Sequence, residues 1–461
     1  MSSSKLPMKI IRRRPKTDDD AGSVAGRPRR PLRNQEKRGS TAQRAAAGTM
    51  SRAPGAVERP RSAVQARPQL RDKLRIVGAF GSNKVMAGEL SRLVRRAYND
   101  IRVPVPDKEG PGAVSYPFDA RMAAVAVRYH RTSARVLWEL YRSPAVRLEP
   151  LYEDIFRLVR DDPHRTLISG YGLSVSAFGV SAFGAGERQL VGTVKNAIIN
   201  GAAERGVKLH LKPNNPELVI DVRMVDGCIS VALDLAGRPM HKRGYRQVSS
   251  AAPLREDVAA QLLMLSRFDA RKEMLIDPMA GSGTIGIEAA CMAAARPNWC
   301  SGRKPLCDGW PALAGEFAQR AVPLFSDTTP SVFLSDVLPE CEEIMKRNAD
   351  TAGVLGSVNC TTSDLFDLNP AHLREKLRAS GKESALLLSN PPYGERLGRD
   401  LVLTDLYRHL GRFCRQLHGF RIGFLVANPD FQSCFGLTPT LRKPVPNGPL
   451  EAVFYLYDLS R

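Results

Sequence analysis

From about residue 255 to the end of the chain, short apolar segments alternate with stretches of helical periodicity. The apolar segments, such as MLIDPM, SVFLSDV, ALLLS and FRIGFLV, have the length and composition of buried strands. A helix over REDVAAQLLMLSRF is predicted to precede the first of them, and further helices, for example over PECEEIMKRNADTAG, are predicted between them. Strands that alternate with helices favour a largely parallel, doubly wound α/β sheet, which residues 296–330 interrupt as a long insertion.

The chain before this region has a mixed pattern. Predicted strands are LRIVGAF, ARMAAVAVRYH, LSVSAFGV, ELVIDVRMV and CISVALDLA, whereas RTSARVLWELYR fits a strand or a helix. Helices are predicted over AGELSRLVRRAYNDI, EPLYEDIFRLVRD and QLVGTVKNAIINGAAERG. This order suits one or two small α+β domains, which we place before residue 246.

Positive charge is concentrated at the N-terminus. Residues 1–73 contain 19 Lys and Arg against 6 Asp and Glu, a net charge of +13 out of +21 for the whole chain. This segment has few apolar clusters, so we expect a disordered basic tail. An RNA-binding arm and an organelle presequence are the alternatives, although three consecutive aspartates at 18–20 are unusual in a presequence.

Two other segments could suggest a membrane or a metal. Residues 167–186 carry no charge, but nine of the twenty are Ser or Gly, so strands with turns are expected and no membrane span. The eight cysteines contain no CxxC pair, which indicates an intracellular, reduced protein without a disulfide framework. Cys291, Cys300 and Cys307 fit no zinc spacing, and we predict no metal.

The segment DPMAGSGTIG (277–286) leaves a predicted strand and enters a predicted helix. Its three glycines follow a GxGxxG pattern that lets the backbone approach a nucleotide cofactor, with a tight strand–helix turn as the alternative. Asp336, after the second strand, can accept hydrogen bonds from ribose hydroxyls. Asp364, after the third strand, either faces an adenine amino group or caps a helix.

The most specific motif is NPPY (390–393), directly after the strand ALLLS. Two prolines cannot continue a strand, so they hold the backbone stiff at the sheet edge where doubly wound folds bind ligands. The Asn390 oxygen and a neighbouring carbonyl can accept hydrogen bonds from an exocyclic amino group, and Tyr393 can stack on a base. These contacts would orient the amine for attack on a methyl donor.

Together these motifs resemble the S-adenosylmethionine-dependent amino-methyltransferases. HKRGYR (241–246), APLRE (252–256), NPPYGERL (390–397) and NGPLE (447–451) more specifically resemble the THUMP-containing ribosomal RNA guanine-N2 methyltransferases of the bacterial large subunit. The similarity covers about residues 120–461, and residues 74–120 depart from the family's pattern. The fold implied is a C-terminal Rossmann-fold methyltransferase with an N-terminal α+β ferredoxin-like/THUMP RNA-binding module.

The resemblance implies four segments: a tail or presequence (1–73), a divergent ferredoxin-like domain (74–150), a THUMP-like domain (151–245) and the methyltransferase domain (246–461). It also implies a cofactor site for S-adenosylmethionine, formed by Asp277, Pro278, Ala280, Gly281, Ser282, Gly283, Thr284, Asp336 and Asp364. Catalysis is assigned to Asn390, Pro391, Pro392 and Tyr393. RNA contacts are predicted for Lys195, Lys242, Arg243, Arg246 and Arg396.

The predicted function is methyl transfer to guanine N2 in large-subunit ribosomal RNA, by a monomer that flips the target base out of its helix. Alternatives are methylation of adenine N6, of a tRNA guanine or of a protein glutamine, and an RNA-binding ribosome assembly factor of weak activity. An NAD-dependent dehydrogenase would leave NPPY unexplained. We expect an intracellular protein, with a mitochondrion or another organelle favoured over the bacterial cytoplasm.

Overall fold

A computed structural model describes residues 69–459, with gaps at 109, 145–146, 162–169, 179–185, 247–253, 301, 314, 317–327, 393–399 and 449. Most of the predicted tail therefore lies outside the described residues. Its predicted end at residue 73 is too late, because the first strand already begins at Gln69. The Trp138 indole donates a hydrogen bond to Asp72 at 2.5 Å and ties this strand to the sheet.

The first part of the chain forms an eight-stranded sheet, here called the N-terminal sheet, in the order β2-β3-β1-β4-β8-β7-β5-β6. Its strands are β1 (Gln69–Gly78), β2 (Asp107–Lys108), β3 (Ala113–Pro117), β4 (Ser133–Pro144), β5 (Gly172–Phe178), β6 (His210–Leu211), β7 (Leu218–Val225) and β8 (Cys228–Asp234). The accompanying helices are α1 (Asn83–Ala97), α2 (Ala120–Tyr129), α3 (Leu148–Arg160) and α4 (Glu187–Glu204). Pairing is antiparallel except where β5 runs parallel to β6 and β7.

The segment ARMAAVAVRYH is a helix, so its prediction as a strand is wrong. The Asp119 carboxylate accepts hydrogen bonds from the backbone N–H groups of Arg121 and Met122 and so caps α2. Every residue from 122 to 127 is buried. Because this helix is buried on nearly all sides, it shows no polar face whose spacing could distinguish it from a buried strand.

The predicted domains 74–150 and 151–245 contribute strands to the same sheet. β4 from the first range pairs with β8 from the second, over a register that includes Leu137 opposite Asp234 and Trp138 opposite Leu233. Backbone hydrogen bonds therefore run without a break across the two ranges. The assignment of the ranges to a ferredoxin-like and a THUMP-like domain stays a prediction.

The second part of the chain forms a seven-stranded sheet, here called the C-terminal sheet, in the order β11-β10-β9-β12-β13-β15-β14. Its strands are β9 (Glu273–Asp277), β10 (Ser331–Asp336), β11 (Val358–Thr362), β12 (Ser384–Ser389), β13 (Phe420–Val426), β14 (Leu441–Pro444) and β15 (Val453–Asp458). The helices are α5 (Glu256–Leu265), α6 (Thr284–Ala293), α7 (Pro339–Thr351), α8 (Pro370–Ser380), α9 (Asp400–Cys414) and α10 (Phe431–Phe435). Strands β9 to β13 are parallel, which confirms the predicted doubly wound sheet.

One hydrophobic core runs from the N-terminal sheet to one face of the C-terminal sheet. It contains residues as far apart in the chain as Leu90 in α1, Leu262 in α5 and Ile287 in α6. A second core lies under α8, α9 and α10. Among the helices of the described segments, none is both long enough and apolar enough to cross a bilayer.

Candidate active site

The strand order of the C-terminal sheet reverses between β9 and β12. From β9 the chain proceeds outward to β10 and β11, then returns to β12 on the other side of β9. In open α/β sheets such a reversal leaves a crevice at the carboxyl ends of the strands, where ligands bind. Asp277 ends β9 and Asn390 directly follows β12, so the two most informative motifs lie on either side of this crevice.

The glycine turn after β9 is shaped for a closely approaching ligand. Gly281 has a φ of +55° and Gly283 a φ of +79°, a left-handed region that strongly favours glycine. At Gly286 an added Cβ would lie 2.5 Å from Leu334 Cδ2, so this glycine lets α6 pack directly on β10. Two glycines therefore shape the turn, and the third closes the helix against the sheet.

Asp277 is fully buried and joins the two motifs. The Ser389 hydroxyl, at the end of β12, donates to Asp277 Oδ1 at 2.6 Å, and the Met279 backbone N–H donates to the same oxygen at 3.2 Å. Burial raises the pKa of Asp277 to about 7, and the nearby charge of Asp336 adds to the rise, although both hydrogen bonds oppose it. The carboxyl thus couples the strand before the glycine turn to the strand before NPPY.

The raised pKa of Asp277 predicts a pH-dependent stability. Between about pH 4 and pH 7 the folded protein keeps a proton that the unfolded chain has lost, so the free energy of unfolding falls as pH rises through this range. Asp277→Asn removes this titration. Urea unfolding at pH 5 and pH 8 measures the change in the free energy of unfolding between these pH values. We expect this decrease to be about 2 kcal/mol smaller in the variant than in the wild type. Equal losses in the two proteins would contradict the assignment.

The second acidic residue, Asp336, ends β10 beside the glycine turn. Its Oδ2 accepts a hydrogen bond from the Gly281 N–H at 2.8 Å, and its Oδ1 accepts one from the Leu338 N–H at 3.2 Å. The Cys341 thiol also forms a hydrogen bond with this carboxylate, and because a carboxylate can accept about four hydrogen bonds, it can still accept at least one more. Asp336 therefore fixes the turn and can still accept hydrogen bonds from ligand hydroxyls.

Asp364 lies farther along the same edge, after β11. Its Oδ1 accepts a hydrogen bond from the Phe366 N–H at 2.9 Å, which caps the short helical turn over residues 365–367. Asp364 therefore has the capping role that was one of its two predicted roles. Its predicted contact with adenine stays a prediction. Phe366 is exposed, and its ring lies 4.3 Å from the His409 ring, centroid to centroid.

The NPP part of the NPPY motif ends β12 at the crevice. Asn390 and Pro392 are half-buried and Pro391 is buried. Leu386 to Ser389 are fully buried, and β12 pairs with β9 on one side and β13 on the other, so the motif projects from the centre of the sheet. Tyr393 and Arg396, predicted to contact the target base and RNA, lie outside the described residues.

The structure corrects the predicted RNA contact of Arg243. Its side chain is 1% exposed, and it donates to the Met240 and Arg131 carbonyl oxygens at 2.5 and 2.6 Å. Its guanidinium also lies 3.4 Å from the buried Glu288 carboxylate. Arg243 therefore supports the fold and presents no surface to a nucleic acid.

The other predicted RNA residues differ in exposure. Lys242 is exposed, Lys195 on α4 is half-buried, and Arg246 is turned toward the glycine turn, where it donates to Thr284 Oγ1 at 2.9 Å. Within the described ranges, no three His, Cys, Asp or Glu side chains are arranged to hold a metal ion, and all eight cysteines are free thiols.

Sequence reasoning did not identify a buried ionic network behind the site. Glu288, on α6 one turn after Thr284, accepts a hydrogen bond from Arg131 Nη1 at 2.9 Å and pairs with Arg243. Arg131 lies between α2 and β4 and belongs to the N-terminal sheet region. The sequence does contain one indication of this network, since Glu288 is the one charged residue in an otherwise apolar helix (TIGIEAACMA). A buried charge of this kind needs a partner of opposite charge.

Comparison with known proteins agrees with this geometry. Residues 243–455 match a family model described as UPF0020: RMKL-like, methyltransferase domain. "Ribosomal RNA large subunit methyltransferase K/L" of Shewanella frigidimarina (strain NCIMB 400) is 28% identical over 365 residues, which are 76% of this chain and 49% of the relative. Residues 243–455 are thus similar to RMKL-like methyltransferase domains, and the chain spans about half the length of the curated relatives it matches.

Two solved structures show the same fold. A possible methylase from Clostridium difficile 630 is 24% identical with a TM-score of 0.68, and the match covers 84% of this chain and 98% of that one. SMU.472, whose structure contains SAH, is 24% identical with a TM-score of 0.68, and the match covers 85% of this chain and 99% of that one. The expected combination of a methyltransferase sheet with an N-terminal α+β module is therefore confirmed as a fold.

Proposed function

We propose that this protein transfers a methyl group from S-adenosylmethionine to the N2 atom of a guanine in large-subunit ribosomal RNA. The observation that carries the proposal is the hydrogen bond between Ser389 and Asp277, which places the NPP segment beside the glycine turn. A donor held on the turn and an amine held by Asn390 would then meet in one crevice. The large-subunit ribosomal RNA methyltransferase named above is the relative that supports an RNA substrate.

The residues around the turn fit S-adenosylmethionine. Gly281 and Gly283 have φ angles of +55° and +79°, and without side chains they let the backbone of the turn approach a ligand closely. Asp336 would accept hydrogen bonds from the ribose hydroxyls and Asp364 from the adenine amino group. The carboxylate of Asp336 suits a cofactor with a positive sulfonium. When bound, the cofactor supplies a methyl group already activated for transfer.

The chain's own task is to hold and align the amine. The nitrogen of an exocyclic amino group is a poor nucleophile because its lone pair is delocalised into the ring. The Asn390 side-chain oxygen and a neighbouring backbone carbonyl would accept both N–H bonds and favour a more tetrahedral nitrogen, directed at the methyl group. Pro391 and Pro392 hold these acceptors in place, and Tyr393 would stack on the flipped base.

The N-terminal sheet region would bind the RNA. Its α+β strand order, together with the resemblance to a THUMP module, supports a surface that recognises RNA by shape and by phosphate contacts. Lys195 and Lys242 remain the described candidates for phosphate contacts, since both reach the surface. A role in ribosome assembly is compatible with this activity. The organelle prediction has no support among the relatives above, and it stays a prediction.

The test is to incubate the protein with labelled S-adenosylmethionine and ribosomal RNA, digest the RNA and identify the labelled nucleoside. We expect N2-methylguanosine. Label in N6-methyladenosine would replace the guanine assignment by the adenine alternative, and label only with tRNA would replace the ribosomal substrate. RNA binding without any label, under conditions where SAH binds, would favour the assembly-factor alternative.

A further inference from the structure

Segment 241–246 (HKRGYR), here called the strap, contains three residues predicted to contact RNA, but of these only Lys242 is exposed. Arg243 and Tyr245 are buried, and the Arg246 side chain is only 15% exposed. The Tyr245 hydroxyl donates to Glu288 Oε1 at 3.2 Å. The strap therefore runs along the first turns of α6, the helix that begins at the glycine turn.

Arg246 makes its contacts at the end of that turn. Its Nη2 donates to Thr284 Oγ1 at 2.9 Å and to the Leu254 carbonyl oxygen at 2.7 Å, and it lies 3.5 Å from Glu256 Oε1. Thr284 is the first residue of α6 and follows Gly283, whose φ is +79°. The guanidinium is thus anchored at three points, one of which is the residue that closes the turn.

Other side chains hold the turn from a different direction. Asp336 accepts a hydrogen bond from the Gly281 N–H at 2.8 Å, and Asn348 Nδ2 donates to the Ser282 carbonyl oxygen at 3.1 Å. Both come from β10 and α7, which follow the turn in the sequence. Arg246 comes from the segment before β9, so without it the α6 end of the turn loses its charged hydrogen bond. A glycine-rich turn has much conformational freedom to lose, so its shape depends on such contacts.

We propose that Arg246 is a positioning residue for cofactor binding, which fixes Thr284 and through it the conformation of residues 281–284. This inference rests on the proposed cofactor site. Arg246 contacts Thr284 at the end of the turn and its side chain is only 15% exposed, so its loss should weaken cofactor affinity and leave RNA affinity unchanged. All three contacts are made by Nη2, at the end of a side chain longer than that of lysine, so a lysine ammonium should replace them only in part.

The experiment measures SAH binding by calorimetry with the full chain. Arg246→Met should weaken SAH binding about tenfold, the effect of one charge-assisted hydrogen bond, and Arg246→Lys should restore part of the loss. When Thr284→Val is combined with Arg246→Met, SAH affinity should fall little further than in Arg246→Met alone, because the two residues act through one contact. Arg255→Met is the matched control. Arg255 pairs with Asp257 of α5 at 2.7 Å and not with Thr284, so SAH affinity should stay within about twofold.

Activity assays separate positioning from a general loss of structure. For Arg246→Met we expect KM for S-adenosylmethionine to rise about tenfold with kcat within about twofold, and RNA affinity to stay unchanged. Unchanged SAH affinity in this variant would overturn the inference, as would a loss of RNA affinity alone. Failure of the wild type to bind SAH would overturn the proposed cofactor itself, which is a distinct result.

Discussion

Replacing Asn390 by alanine is expected to lower kcat for methyl transfer at least about a hundredfold while SAH affinity stays within about twofold. This substitution removes the side-chain oxygen that we propose accepts a hydrogen bond from the target amine, whereas it leaves the glycine turn unchanged. Such an acceptor acts mainly on the transition state, since the nitrogen must become more tetrahedral as it attacks. Single-turnover methylation of ribosomal RNA and calorimetric titration with SAH measure the two quantities.

Asn428 provides a matched control for this prediction. It lies two residues after β13, the strand next to β12, and its Oδ1 accepts a hydrogen bond from the Asp430 N–H at 2.8 Å. Asn428→Ala should therefore leave kcat within about twofold. Equal losses of kcat in the two variants would show that the Asn390 effect is not specific to the target amine. Loss of SAH binding in Asn390→Ala would show that this residue supports the cofactor site.

Replacing Glu288 by alanine is expected to lower the free energy of unfolding by about 3–5 kcal/mol. Although burial alone would raise it, the charges of Arg243 and Arg131 hold the pKa of Glu288 below its usual value, so the carboxylate stays ionised. Both arginines are 1–2% exposed. The substitution would leave two positive charges buried without their counter-ion. Urea unfolding followed by tryptophan fluorescence measures the loss.

Glu342 is the surface counterpart of Glu288. Its carboxylate pairs with Lys346 at 2.7 Å on the exposed side of α7. Pairs of this kind near the surface contribute little, so Glu342→Ala should lower the free energy of unfolding far less than Glu288→Ala does. A cost for Glu288→Ala as small as that for Glu342→Ala would contradict the buried network.

The glycine turn and NPPY could be predicted from the sequence because their chemistry is local. A strand that ends in Asp277 and a strand that ends in Asn390 must place both residues at the carboxyl edge of a parallel sheet. The sequence could not show that Ser389 donates to Asp277, because that contact depends on the register between β12 and β9. Strand order is a non-local property.

Burial was the main source of error. Arg243 lies in the basic segment HKRGYR, and a cation in such a segment is typical of an RNA contact. Its partner Glu288 is distant in sequence, so the sequence alone does not reveal the ion pair. The helix α2 was mistaken for a strand because its residues 122–127 are all buried. In both cases a residue's environment is set by parts of the chain far away in sequence, which spacing and composition do not reveal.

The pairing of β4 with β8 limits how such a gene can recombine. A crossover near residue 150 would replace the part of the N-terminal sheet on one side of the junction. If β4 and β8 then no longer matched, each would expose an unpaired strand edge that is prone to aggregation. A crossover near residue 245 would separate Arg131 from Glu288 and part the hydrophobic core that both sheets share. An exchange of sequence at either junction is therefore expected to disrupt contacts on both sides of it, and neither junction is a suitable boundary for swapping segments between relatives.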